Sequence, residues 1–428
     1  MAVTADHSER SGESPPRRRS ELDTTAASAG PLWRQYLRAM GPGLVTGSSD
    51  DDPSGIATYS QAGAQFGLSL LWTALLTFPL MVGVQEICDR TALATGKGLG
   101  ELALRRFGRL GRHVVGVLLV ALIVANGLNI DADLVAVGSG MNLLGAGPTW
   151  VWGLAAGVVL TALLMAGSFS RISRVFKLLC AALLSYLVVA VLVTHDWASV
   201  LTHTLLPRLQ FGQSYLALLL AVLGTTISPY LFFWQSARRL EEMRDEPEGG
   251  VHAVVMFAII LATAQTLNLH HQTQIESADQ AAAALGPVAG SSARILFALG
   301  FIGSGLLAIP VLAGAGSVGL SGLLGKKWGF SRSVRKAPVF YGLVVLGTLG
   351  GTLLSLLHID LIRLLVLVAV INGVAAAPFL AVVMSISGSE ALMGERVNGH
   401  AAKTLGWATT ALMAVAAVAL FVTGGISF

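Results

Sequence analysis

The chain has 428 residues, 54% of them hydrophobic and only 12% charged, with a mean hydropathy of +0.70. A soluble protein carries about 25% charged residues, so the composition excludes a string of soluble domains and indicates an all-α polytopic membrane protein. The net charge of +4 is no nucleic-acid signal, because the basic residues sit in short loops between apolar runs. Cys88 and Cys180 lie inside such runs and give neither a disulfide framework nor a zinc spacing.

From the N-terminus, residues 1–35 are polar, carry Arg17-Arg18-Arg19, and read as a disordered cytoplasmic tail rather than a signal peptide. Residues 36–428 read as the membrane domain. Apolar runs of roughly 17–25 residues predict eleven spans, near 41–66, 68–90, 113–142, 149–167, 173–194, 214–238, 251–270, 290–320, 338–357, 361–388 and 402–426. Of the 28 Lys and Arg residues, all but Arg208, Arg294 and Arg363 fall on one side of this arrangement. The positive-inside rule then puts the N-terminus in the cytoplasm and, with an odd number of spans, the C-terminus outside. The localisation implied is a multi-pass protein of the cell membrane.

The first span holds Asp50, Asp51 and Asp52, followed at once by Pro53, Ser54 and Gly55. Charge at membrane depth is costly and by default marks an ion path or a relay. Pro and Gly beside it predict a helix break, which is tolerated only against protein or a water-filled cavity. The sixth span repeats the device with Gly224-Thr225-Thr226-Ile227-Ser228-Pro229-Tyr230. Spans 1 and 6 hold corresponding places if the first ten spans form two five-span halves, about 41–194 and 214–388, with an eleventh helix at about 402–426. Paired interrupted spans point to a transport site between inverted repeats. A single Pro would mean no more than a kinked, packed helix.

These residues resemble the NRAMP family of divalent-metal transporters. The family's Asp-Pro-Gly-Asn followed by Gln-Ala-Gly fits Asp52-Pro53-Ser54-Gly55-Ile56-Ala57-Thr58-Tyr59-Ser60-Gln61-Ala62-Gly63 without a gap. Gly41-Pro42-Gly43, Leu70-Leu71-Trp72, Gln85-Glu86 and Thr95-Gly96-Lys97-Gly98-Leu99-Gly100-Glu101 also fit. The resemblance implies a LeuT-like fold of two inverted five-helix repeats with broken helices 1 and 6. It also implies alternating access and a metal bound between those helices. It keeps the metal-binding aspartate as Asp52 and places carbonyl ligands at Ser49 and Thr225. Gly55 stands where the family has an Asn ligand, and Ser228 where it has a Met. Tyr230 and Gln235 replace two histidines. In span 3, Asp133 is kept while Ala136 replaces a Glu, and span 9 has no arginine between Tyr341 and Leu357.

Asp52, Ser228 and backbone carbonyls make an all-oxygen set, which suits Mg²⁺, Mn²⁺ or Ca²⁺, whereas a thioether favours softer metals. Gly for Asn and Ser for Met also enlarge the space, and Mg²⁺ sheds its water reluctantly. In these respects the chain is similar to the family's magnesium-transporting branch. Without the relay histidines, uptake driven by voltage is favoured over symport. A doubly charged ion entering a negative interior gains about 4.6 kcal/mol per 100 mV. Asp51 is the second choice among the three acids, since adjacent carboxylates repel.

Glu86 and Arg90, at i and i+4, read as a salt bridge or inner gate. Asp131 and Asp133 suggest one carboxylate on the pathway and one held by a polar partner such as Asn126 or Asn129. His270, His271, Glu276 and Asp279 read as a solvated outer vestibule, and Asn372 as a candidate span-10 ligand. The expected partners are the transported divalent cation and the lipid bilayer, with no resident cofactor and no nucleic acid; the oligomeric state is left open. The competing readings are a proton-coupled Mn²⁺/Fe²⁺ symporter and an organic-solute symporter on the same scaffold. The absence of a mid-membrane Lys or Arg opposes a carboxylate substrate for the latter. No nucleophile–base pair or HExxH motif points to an enzyme.

Overall fold

The computed structural model describes residues 52–166, 179–242, 251–356 and 360–424. Among them the secondary structure is helical throughout. The predicted tail, the residues preceding Asp52 and the start of the fifth span lie outside the described residues.

The first helix, α1 (Pro53–Phe66), begins where local chemistry demands. Pro53 needs no hydrogen-bond partner at the first position, and Asp52 caps the helix from an extended conformation. It ends at Gly67, whose φ of 57° admits few side chains. A 3₁₀ turn, Gly67–Leu70, follows, and the chain then bends by 105° into α2 (Trp72–Thr95).

A short amphipathic helix comes next, α3 (Leu99–Arg106), with Lys97 and Arg105 paired to Glu101. The third and fourth spans are α4 (Arg109–Leu143) and α5 (Thr149–Met165). The described end of the fifth is α6 (Ser185–Val193). After a bend of 118° comes α7 (Trp197–Leu205), in a stretch where spacing by hydropathy suggested only a loop.

The predicted sixth span is two helices, α8 (Gln213–Thr226) and α9 (Pro229–Glu242), separated by Ile227 and Ser228. Pro229 cannot donate to Thr225 four residues back, and the helix stops at Thr226. The remaining spans are α10 (Val251–Thr266), α13 (Ala293–Leu323), α14 (Pro338–Leu354), α15 (Leu361–Ser387) and α17 (His400–Val422). Two short helices, α11 (Ala278–Ala283) and α12 (Gly286–Ala289), precede α13, and a third, α16 (Glu390–Met393), precedes α17.

The two broken elements lie at the centre. The apolar window of Gln213–Ala237 is 94% buried within the protein, against 33% for His400–Val422. The outer face of α17 leaves Trp407, Val415, Val418 and Phe421 exposed, as a surface against lipid tails would. Inside, α4 lies along α13, α8 along α15, and α10 along α1. The crossing of α8 and α15 depends on two small residues. A Cβ on Gly224 would strike Ala369 O and the backbone of Gly373, and one on Gly373 would strike Leu220 O. This close approach sets the spacing of α8 and α15.

Candidate cation site

Asp52 is 4% exposed. Its Oδ1 accepts from the Gly55 amide at 2.7 Å and from Ser54 Oγ at 2.7 Å. Both contacts follow from its place as the cap of α1, where unpaired amides need an acceptor and the helix dipole favours a negative charge. Two groups from the sixth span reach the same carboxylate: Thr225 Oγ1 donates to Oδ1 at 3.4 Å, and the Tyr230 phenol donates to Oδ2 at 3.3 Å. Ser54 Oγ and Thr225 Oγ1 are also 3.4 Å apart. The N-terminal end of α1 and the C-terminal end of α8 therefore meet at Asp52.

At that C-terminal end the carbonyls of the last turn lack helical partners. Ser228 Oγ, fully buried, donates to Gly224 O at 2.7 Å and to Thr225 O at 3.0 Å. The hydroxyl expected to face a metal is thus seated on the protein's own carbonyls, one of which is the expected carbonyl ligand. Gly55 opens toward the same spot: a Cβ there would lie 3.2 Å from Thr225 Oγ1 and 3.4 Å from Asp52 Oδ1. Ser49, Asp50 and Asp51 lie outside the described residues.

Two expectations about polar partners are corrected. Neither Asn126 nor Asn129 serves an aspartate. Asn126 Nδ2 donates to Leu312 O at 2.8 Å. Asn129 and Asn372 form a reciprocal amide pair across α4 and α15, at 3.1 and 3.3 Å. Each amide bonds the other, which suits two buried side chains of this kind. Asp133 is 1% exposed, and neither of its carboxylate oxygens has a hydrogen-bond partner among the described residues; the same holds for Asp131 Oδ1. Asp133 nevertheless belongs to the neighbourhood of Asp52, for its carbonyl and the Pro53 ring both pack against Gly305 of α13.

Farther out, Glu86 and Arg90 pair at 3.3 Å, and Arg90 continues to Asn398 at 2.9 Å. His270 and His271 are exposed, in keeping with a solvated loop. On that side Gln61 joins α1 to the connection after α10: its Nε2 donates to Thr273 O at 3.1 Å, and its Oε1 accepts from the Ile275 amide at 2.9 Å. A cavity of about 310 Å³ adjoins it, lined by Gln65, Gln274, Glu276, Asp360 and Arg363 among others.

Sequence reasoning passed over Ser54, the pairing of Asn129 with Asn372 and the role of Gln61. Ser54 had a signal, since a hydroxyl two residues after an Asp cap is placed to bond it. The partners of Asn129 and Gln61 lie more than 200 residues away in the chain, beyond any local pattern.

The described residues hold no group of three or more His, Cys, Asp or Glu placed to hold a metal. The meeting point instead offers one carboxylate with hydroxyl and carbonyl oxygens.

A polar centre enclosed by apolar helices, built where one helix starts and another stops, defines a polytopic membrane transporter of LeuT-like fold. A solved manganese transporter of Eremococcus coleocola, in complex with an aromatic bis-isothiourea compound, shares the fold with a TM-score of 0.67. That likeness holds at 18% identity, over 96% of this chain and 93% of the other. Residues 43–423 match the model of the natural resistance-associated macrophage protein-like (NRAMP) family, and the chain belongs to that family. Its relatives include the divalent metal cation transporter MntH of Mycobacterium tuberculosis, 28% identical over 89% of this chain and 90% of the relative. The protein of the same name from Verminephrobacter eiseniae is 28% identical over 73% of this chain and 74% of its own length.

Proposed function

We propose that the protein imports a hard divalent cation, Mg²⁺ and/or Mn²⁺, by alternating access and without a coupled proton. The observation that carries this reading is the convergence at Asp52. A carboxylate held at the positive end of α1 faces, through Thr225 Oγ1 at 3.4 Å, the carbonyl end of α8. A cation placed between them is favoured by the carboxylate and by the negative end of a helix dipole together. The relatives' names, and that of the structural neighbour, support a divalent metal as cargo.

The donor set supports a hard ion. Asp52, Thr225 and the carbonyls of the α8 terminus offer oxygen alone, and one or two carboxylates with retained waters is how Mg²⁺ is usually bound. In this proposal Ser49 and Asp51 complete the seat from the N-terminal side, while Gly55 leaves room for a hydrated ion. Asn372 joins only in a conformation in which it leaves Asn129.

Tyr230, Gln235 and Ala136 stand where the family has titratable relay groups, which supports transport driven by voltage. In this reading, which follows the positive-inside rule, the N-terminus faces the cytoplasm and the C-terminus the outside. A second reading, a proton-coupled Mn²⁺/Fe²⁺ symporter, draws on one observation: Asp133 is buried with both carboxylate oxygens lacking a hydrogen-bond partner among the described residues.

Influx of Mg²⁺ and Mn²⁺ into proteoliposomes, with internal pH followed in parallel, separates the two. Influx of both ions with no acidification is the expected result. Mn²⁺ influx with acidification and no Mg²⁺ flux would overturn the proposal in favour of the symporter.

A further inference from the structure

Residue 228 has a role that follows from the helix break itself. In an uninterrupted helix the carbonyl of Thr225 would accept from the amide of residue 229, but Pro229 has no N–H to give. Two carbonyls at the end of α8 would then be left inside the protein, and a buried polar group without a partner is costly. The Ser228 hydroxyl offsets part of that cost, its one hydrogen lying within reach of both Gly224 O at 2.7 Å and Thr225 O at 3.0 Å. These are the oxygens that a cation beside Asp52 would seek.

We propose that the Ser228 hydroxyl stands in for the cation. Its hydrogen supplies positive partial charge at the α8 carbonyls, and an arriving ion competes with it for the electron density of Thr225 O. Residue 228 therefore sets affinity by competing with the cargo, not by ligating it. The competition weakens binding enough for the ion to leave. A transporter needs release as much as capture. The inference rests on the cation seat at Asp52 proposed above.

The test is Mg²⁺ binding to the purified full-length protein by calorimetry, in the wild type, Ser228→Ala, Ser228→Thr and Asp52→Ala. Competition predicts that Ser228→Ala binds Mg²⁺ about fivefold more tightly, the factor corresponding to one ordinary net hydrogen bond. Ser228→Thr, which keeps the hydroxyl, should match the wild type. Unchanged or weaker binding by Ser228→Ala would overturn the inference, and weaker binding would make Ser228 a ligand. If Ser228→Ala does not yield folded protein, Ser228→Cys replaces it, because a thiol is a weaker donor and Mg²⁺ gains little from sulfur. It should bind more tightly than the wild type by a smaller factor, and equal or weaker binding counts against the inference. The Asp52→Ala arm separates the two claims: Mg²⁺ binding that survives it refutes the seat itself, whereas binding lost in Asp52→Ala and unimproved in Ser228→Ala refutes only the competition.

Discussion

The start of α1 and the end of α8 face each other and solve opposite problems. At the start of α1 the surplus groups are amides, and a fixed anion, Asp52, satisfies them. At the end of α8 the surplus groups are carbonyls, and a neutral, rotatable hydroxyl, Ser228, satisfies them. The first solution leaves a permanent negative charge in the middle of the bundle. The second leaves oxygens whose partner can be exchanged for something more positive. Polarity of the peptide group explains both, and together they describe a place for a cation that neither break provides alone.

The sharpest way to break this comparison is to remove the charge while keeping the cap. In Asp52→Asn the side chain can still accept from the Gly55 amide, so thermal stability should hold close to the wild type while divalent-cation influx falls by about 100-fold or more, as expected when a buried charge partner is lost. Asp52→Ala should lose the influx and also about 1 kcal/mol of stability with the cap. Retained influx in Asp52→Asn would mean that the carboxylate serves only the helix.

Next in size is the position of the second break. Gly224→Ala forces a methyl against Ala369 O and Gly373, and overpacking of this kind costs about 1–3 kcal/mol. A lower thermal midpoint with reduced influx is expected, and Gly373→Ala should behave alike. A smaller effect is expected from Tyr230→Phe, which deletes the donor to Asp52 Oδ2. One net hydrogen bond, about 1 kcal/mol, should appear as a severalfold change in cation affinity, with the fold intact by circular dichroism. The smallest is the Asn129–Asn372 pair, which joins α4 to α15. A double-mutant cycle to Ala should give a coupling of about 0.6 kcal/mol, the average for a hydrogen bond between membrane helices, read from unfolding in detergent.

Much of this was legible in the chain before any coordinates. Pro53 and Pro229, each beside small polar residues within an apolar run, point to a helix start and a helix stop, whereas Pro79, Pro310 and Pro378 lie inside continuous helices, so proline alone does not make the distinction. The position of Asp52 at a helix start could be read from Asp-Pro alone. What could not be read was direction. Whether Ser228 faces a metal or its own carbonyls depends on one rotatable bond, and both alternatives fit the same letter in the sequence. The pairing of Asn129 with Asn372, and of Gln61 with the Thr273–Ile275 backbone, depends on how distant helices pack. The short helices α7 and α11 were hidden for another reason: neither is long or apolar enough to stand out from a loop by hydropathy.

The most direct measurement is the anomalous signal of Mn²⁺ in crystals of the full-length protein. The account predicts a peak between the Asp52 carboxylate and the carbonyl end of α8, in direct contact or through one water, with Ser228 Oγ turned off Thr225 O. A peak confined to the outer cavity near Glu276 and Asp360, with none beside Asp52, would contradict it.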